Sequence, residues 1–295
     1  MAAKDKDLAA ARRWFADDLR VTAPIRNCPA LAGAFATVPR ERFFPPGPWR
    51  LLTWSGLVSY STPDADPRWL CHDVLVRIDE DRDLNNGQPS AWAYWLDHLQ
   101  LAPGERVLQI GAGTGYYSAI LAETVGRDGT VLAVEADQEL ARQAAANLAA
   151  WPQVTVVAGD GTKVDPGRGV DAIVVCVGAT HPAPLWLDRL APGGRMVLPL
   201  TTGSWSGFVL QVTRGEHGFH ARSLGSCGFF PCVGARDDAA EVHLQRALRR
   251  LGSKTPPVRS LHRGCPGKPR SRDIWYRGRD FWLSRRPLPS TNGPA

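Results

Sequence analysis

The chain has 295 residues, 44% hydrophobic and 22% charged, with a formal net charge of +6. That is the composition of an ordinary globular protein long enough to bury a full core. No stretch approaches the ~18 apolar residues of a membrane helix, and Met-Ala-Ala-Lys-Asp-Lys-Asp-Leu lacks a signal-peptide core, so a soluble, cytoplasmic protein with no membrane contact is expected.

Leu8, Ala11, Phe15 and Leu19 fall on one stripe and predict an amphipathic helix over 5–20. A second helix is expected over Pro29–Ala36. Phe44 to Trp49, with three prolines and a glycine, must be a fixed loop. Val74–Ile78 reads as a strand or part of a hairpin. Residues 1–80 together carry aromatics but few reactive groups, and read as an N-terminal helical and β cap.

From Asn85 the pattern alternates. Asn85-Asn86-Gly87 is a turn, and Pro89 suits the first position of a helix running to about Leu99. Strands are expected at 107–110, 130–134, 154–157, 171–177 and 195–199. Helices are expected at 116–125, 137–149 and 184–190, with a turn at Ala191-Pro192-Gly193-Gly194 before the last strand. A β-hairpin follows (Gly207–Thr213 with Phe219–Ser223), then a helix at about 239–251 and one packed β element within Asp273–Leu283. Strands alternating with helices predict an α/β fold with a parallel sheet covered on both faces. The domain division expected is 1–80, 81–235 and 236–295.

Charge is uneven: Gln245 to Ala295 carries 13 Lys/Arg against 2 Asp/Glu, while the rest of the chain has 22 against 27. A basic surface can meet nucleic acid. Arg outnumbers Lys 30 to 5 throughout, however, so the segment is read as a solvated basic extension and no nucleic-acid partner is assigned. The six cysteines include no CxxC pair and are read as reduced thiols. Cys227, Cys232, His262 and Cys265 could be drawn as a zinc site, but Phe229-Phe230-Pro231 between the first two looks like strand and core. No metal is expected.

The densest information lies at Val107-Leu108-Gln109-Ile110-Gly111-Ala112-Gly113-Thr114-Gly115-Tyr116-Tyr117. An apolar strand runs into glycines at alternate positions and then a helix, where backbone N–H groups can approach a ligand closely. A dinucleotide fingerprint needs G-x-G-x-x-G, and here its third glycine is replaced by Tyr116 or Ser118. G-x-G-x-G-Tyr instead resembles motif I of S-adenosylmethionine-dependent methyltransferases. Glu135 closes the next strand, 20 residues past Gly115, where a carboxylate can accept two ribose hydroxyls. Asp160, between Gly159 and Gly161, can receive an adenine amino group. Gln88-Pro89-Ser90 opens a helix whose free N–H groups favour a carboxylate, and Ser90 adds a hydroxyl. His98 and His181 are given no role. A carboxylate acceptor, with a pKa of about 4, is already a nucleophile at neutral pH and needs no general base.

With these pieces placed, residues 36–235 resemble the protein-L-isoaspartate O-methyltransferase family. The resemblance is carried by Val38-Pro39-Arg40 with Phe43 and Pro45, Gly87-Gln88 with Ser90, Val107–Tyr116, Glu135, and Val157–Gly161. Asp171–Val174, Leu190–Arg195 with Leu198-Pro199, and Phe230-Pro231 complete it. It implies a Rossmann-like, seven-stranded, mostly parallel sheet of the class I methyltransferase type. It also implies S-adenosyl-L-methionine as cofactor and, as partner, a protein or peptide bearing an isoaspartyl carboxylate. The ester formed on that carboxylate would collapse to a succinimide. The expected cofactor residues are Gln88, Gly111, Ala112, Gly113, Gly115, Glu135, Asp160 and Gly161, and Ser90 takes the active-site serine's place. Gly87 to Trp92 is one residue shorter than the family's segment and has moved its proline. Two other readings stand beside this one: an O-methyltransferase of one specific peptide or small carboxylate, and a catalytically silent cofactor binder. Oligomeric state is not readable.

Overall fold

The computed structural model describes residues 3–53, 58–252, 254–265, 271–278 and 280–288, with the side chains of 3–5 and 271 excepted. The first residues of the leader reading, and 253, 266–270, 279 and 289–295 of the basic segment, lie outside the described residues. In chain order the first elements are α1 (Ala3–Thr22), α2 (Pro29–Thr37), β1 (Arg50–Leu52), β2 (Ser59–Ser61), β3 (Leu75–Asp79), β4 (Leu84–Asn85) and α3 (Pro89–Asp97). The central elements are β5 (Arg106–Ile110), α4 (Tyr116–Val125), β6 (Thr130–Glu135), α5 (Gln138–Asn147), β7 (Val154–Ala158), β8 (Val170–Val175), α6 (Pro184–Arg189) and β9 (Leu190–Thr201). Then come β10 (Gly207–Gly215), β11 (Gly218–Cys227), α7 (Asp238–Leu251), β12 (Ser260–Arg263), β13 (Ile274–Arg277) and β14 (Phe281–Ser284). The chain forms two compact units, one of Met1–Arg106 with Ala112–Ala158, the other of Val107–Gly111 with Gly159–Ala295.

In the first unit the predicted apolar stripe of α1 buries Phe15 and Leu19, and Phe15 meets Phe35 of α2 edge-on at 6.2 Å. Phe35 and Phe43 both pack on Tyr116, the first residue of α4. Two buried charges tie the loops down. Arg40 donates to the carbonyls of Leu70, His72 and Val74 at 2.8–3.0 Å, holding the approach to β3. Asp97 accepts from the amides of Arg26, Asn27 and Cys28, so the start of α2 is fixed by a carboxylate from the end of α3. Strands β2-β1-β3-β4 form a small antiparallel sheet over Phe44, Trp49, Leu51, Leu70 and Val76. Parallel strands β6 and β7 pair from Val131↔Val154 to Glu135↔Ala158. Helix α5 begins where Asp137 accepts the Leu140 amide at 2.9 Å, a standard side-chain cap.

In the second unit the strand order is β13-β14-β12-β11-β10-β9-β8-β5. β5, β8 and β9 are parallel and the remainder antiparallel. Leu108, Ile173, Val174 and Leu198 are wholly buried, the near-continuous apolar reading of strands covered on two faces. Two expectations are corrected. Ala191–Gly194 does not end an element: β9 runs through it as a bulge, with Val170↔Leu190 followed directly by Ala172↔Arg195 and Gly193 at φ +76°. The single β element expected within Asp273–Leu283 is two strands, β13 and β14, and a further strand, β12, precedes them. β12 falls in a Pro/Arg-rich stretch with little alternation, and its pairing is supplied by β11 and β14 rather than by its own pattern.

Candidate active site

The first unit holds Gly113, Gly115, Glu135, Gln88 and Ser90. Gly115 has φ +95°, and a Cβ there would lie 2.8 Å from Leu148 Cδ1, so turn and packing both demand glycine. Gly113, at φ +56°, has open space where its Cβ would be. The Gly113 amide donates to Glu135 Oε2 at 2.7 Å, and the Asp137 amide to Oε1 at 3.0 Å. Glu135 is thus the post of the glycine loop. Each carboxylate oxygen has a second lone pair, so capacity remains for hydroxyl donors. Ala112 donates its amide to Val134 O at 3.1 Å, continuing the strand into the loop.

Gln88 and Ser90 stand at the start of α3 and share a residue that no sequence pattern singles out. Asp73 accepts from Gln88 Nε2 and from the Ser90 amide, both at 2.8 Å. The helix end predicted to attract a carboxylate therefore has one of the chain's own on its second amide. Only the Asp-to-helix spacing of 17 residues hid it. Asp73→Ala is expected to lower stability by about 1 kcal/mol, as loss of a helix cap does. Asp73→Asn should keep most of it, because its oxygen still accepts the Ser90 amide while the Gln88 amide turns over. Thermal unfolding of the two variants checks this; an unchanged Tm in Asp73→Ala would mean that the contact contributes nothing.

The second unit holds Gly111, Asp160 and Gly161. A Cβ on Gly111 (φ +80°) would stand 2.8 Å from Val177 Cγ1, and one on Gly161 would stand 2.5 Å from Ile110 Cγ2. Asp160 Oδ1 accepts from the Thr162 amide at 2.9 Å and its hydroxyl at 2.7 Å, and Oδ2 from Lys163 Nζ at 3.1 Å. Burial works against the Asp160 charge, but the Thr162 and Lys163 hydrogen bonds outweigh it and hold the carboxyl below its ordinary range. It is ionised at neutral pH and ready to accept an amino group. Gly161 O accepts from Trp186 Nε1 at 2.8 Å. Gln109, in β5, is fully buried and donates to Cys176 Sγ at 3.5 Å, so it serves the sheet interior.

The histidines without an assigned role also find places. His98 Nδ1 lies 2.8 Å from Tyr94 O within its own helix, and His181 Nδ1 lies 2.9 Å from Thr180 Oγ1. His262 stacks on Trp282 at 3.9 Å, and Ser260 Oγ lies 2.8 Å from its Nε2. Among the described residues no group of three or more His, Cys, Asp or Glu could hold a metal ion. Burial raises the Cys71 thiol to about 11 and the Cys227 thiol further, so both stay protonated at neutral pH. Among the described residues no helix is long and apolar enough to cross a membrane.

Parallel strands, a strand–glycine–helix turn and an acid ending the following strand are the parts of a Rossmann-like fold. A solved protein-L-isoaspartate O-methyltransferase structure matches with a TM-score of 0.65 at 20% identity, covering 92% of this chain and 87% of its own. A Plasmodium falciparum beta-aspartate methyltransferase structure in complex with S-adenosyl-L-homocysteine matches at 0.58 and 16% identity, covering 75% and 97%. The family model for protein-L-isoaspartate(D-aspartate) O-methyltransferase matches residues 72–237. The protein-L-isoaspartate O-methyltransferase of Methanopyrus kandleri is 31% identical over 79% of this chain and 96% of its own length. The second such enzyme of Pelobacter propionicus is 36% identical over 70% and 84%. The chain belongs to the protein-L-isoaspartate O-methyltransferase family and is an S-adenosylmethionine-dependent methyltransferase.

Proposed function

We propose that this protein methylates the carboxylate of L-isoaspartyl residues in proteins or peptides, in the cytoplasm. The observation that supports this most is the family match over 72–237, which contains every residue assigned to the site. Gln88, Gly111, Ala112, Gly113, Gly115, Glu135, Asp160 and Gly161 are the cofactor set, within a cofactor-binding domain of residues 81–235. Residues 1–80 serve as its cap and 236–295 as its extension. The glycine turn fits such a ligand, since Gly111, Gly113 and Gly115 all have φ between +56° and +95°, a backbone that brings the chain close to a ligand without side chains. Bound S-adenosylmethionine supplies an electrophilic methyl group on a sulfonium.

The chain's own contribution is positional. Glu135 holds the loop amide of Gly113 and offers its remaining lone pairs to ribose hydroxyls. Asp160, kept ionised, accepts the adenine amino group. Ser90 orients the acceptor carboxylate by its hydroxyl, its amide being engaged by Asp73. An ionised carboxylate needs no base, so alignment and exclusion of water account for the rate.

The test is transfer of labelled methyl from S-adenosylmethionine to an isoaspartyl peptide and to its aspartyl twin. Base-labile label on the isoaspartyl peptide alone is expected, and Ser90→Ala should lower turnover about tenfold or more while cofactor affinity stays unchanged. Equal turnover in Ser90→Ala would remove the serine from the reaction. Label on neither peptide, with cofactor binding intact, would favour the two other readings, an O-methyltransferase of a specific peptide or small carboxylate, or a catalytically silent cofactor binder. The specific-substrate reading draws on Asp73, which accepts from Gln88 and Ser90 in the segment that departs from the family pattern.

A further inference from the structure

The second unit contains a cavity of about 450 Å3 whose walls include His181, Arg236, Asp237, Arg263, Asp280 and Phe281. It adjoins the cofactor set through Gly234, another of its wall residues: a Cβ on Gly234 would lie 2.5 Å from Asp160 Oδ1. Gly234 is at φ +81°, so the backbone there presses directly on the Asp160 loop. The wall from Arg263 to Phe281 lies beyond residue 237, where the family match ends. This pocket is therefore made by the joining of a loop within the family match to a segment beyond it. Tyr276 of β13 fixes the joint, its hydroxyl lying 2.7 Å from Thr180 O and 3.1 Å from Ala240 O.

The charges lining the cavity are not equally available. Arg236 pairs with Glu241 and also donates to Thr201 O at 2.8 Å. Arg263 pairs with Asp188 at 2.6 Å and reaches Pro184 O at 3.4 Å. Both guanidinium charges are thus matched by carboxylates outside the lining. His181 has its pKa lowered by burial, against the pull of Asp237 and Asp280, and adds no positive charge at neutral pH. Asp237 uses Oδ1 to cap α7 through the Ala240 amide at 2.7 Å. Asp280 makes no ion pair among the described residues. Among the described residues Asp237 and Asp280 thus make no ion pair, and they line the cavity together with the apolar Leu187 and Phe281. A long aliphatic stem ending in a cation is the ligand that satisfies both.

We infer that this cavity binds a basic side chain, lysine or arginine, of the polypeptide acceptor. The inference rests on the acceptor being a peptide, as proposed above, but it concerns affinity and not the modified carboxylate. The pocket would select acceptors by a neighbouring residue.

The test is binding of three otherwise identical isoaspartyl peptides to the full chain, measured by calorimetry with S-adenosylhomocysteine present. One carries lysines on both sides of the isoaspartyl residue, one norleucines and one glutamates. The lysine peptide is expected to bind about five- to tenfold tighter than the norleucine peptide, and the glutamate peptide weakest. Asp280 is exposed and serves no cap, so Asp280→Arg should abolish that preference while S-adenosylhomocysteine affinity and Tm stay unchanged. Equal binding of the lysine and norleucine peptides, a preference for glutamate, or a lysine preference untouched in Asp280→Arg would each overturn the inference. The same peptides with an ordinary aspartyl residue separate the two claims. A lysine preference that persists without methylation upholds the pocket even if isoaspartyl turnover fails.

Discussion

Glu135→Gln is expected to weaken S-adenosylhomocysteine binding by about two orders of magnitude. The carboxylate accepts one backbone amide on each oxygen, from Gly113 at 2.7 Å and Asp137 at 3.0 Å. A carboxamide keeps one acceptor and turns a donor toward the other amide, so one charge-assisted bond is lost and an N–H faces an NH2 group. The proposed ribose contact loses its charge in the same step. Gly113 is in the left-handed region at φ +56°, and Asn147 Nδ2 donates to the next carbonyl, Thr114 O, at 3.0 Å, so Glu135 and Asn147 hold the loop from two sides and the loss of its support is partial. Calorimetric titration measures the affinity, and thermal unfolding reports how much of the loss is structural, at about 2–4 °C per kcal/mol for a chain of this size or somewhat less. An affinity within about twofold of the parent would remove Glu135 from the cofactor site.

Trp186→Ala is expected to destabilise the protein by about 3–5 kcal/mol. Trp186 is among the largest wholly buried side chains, at 0% exposure, and its indole N–H is committed to Gly161 O at 2.8 Å. Removal leaves a cavity and an unpaired carbonyl on the loop that carries Asp160. Trp186→Phe separates the two effects. It keeps most of the packing, loses about 1 kcal/mol with the hydrogen bond, and should weaken cofactor binding several-fold by loosening Gly161. Urea unfolding with calorimetry on both variants resolves them. Cofactor affinity in Trp186→Phe equal to the parent would make this tryptophan a core residue with no bearing on the site.

Legibility differed from element to element, and the reasons are physical. α4 and β5 were readable because their signals are local: an apolar strand, three glycines and a helix follow one another without a break between Arg106 and Val125. α5 and α7 were readable as helical stretches, and the structure adds the caps that start them, Asp137 and Asp237. β12 was not, since Ser260–Arg263 carries no alternation and becomes a strand only because Leu261 pairs with Phe219 on one side and Leu283 on the other. Ala191–Gly194 read as a turn because prolines and glycines signal one. Neighbouring strands on either side of β9 held the chain in line and turned the excess residues into a bulge.

The same division runs through the site. The order of glycine turn, Glu135 and Asp160 is a property of the sequence, because a strand that ends in a ligand loop places its functional residue at a fixed distance from its own apolar run. By itself the sequence therefore determined the fold class, the cofactor class and the family. Only the tertiary structure decided that Asp73 holds the Ser90 amide from 17 residues away, that Trp186 supports Gly161, and that Asp280 joins Asp237 and His181 in one cavity. Those contacts join residues with no shared periodicity. They come about through burial and hydrogen-bond satisfaction, which no local pattern in the chain encodes.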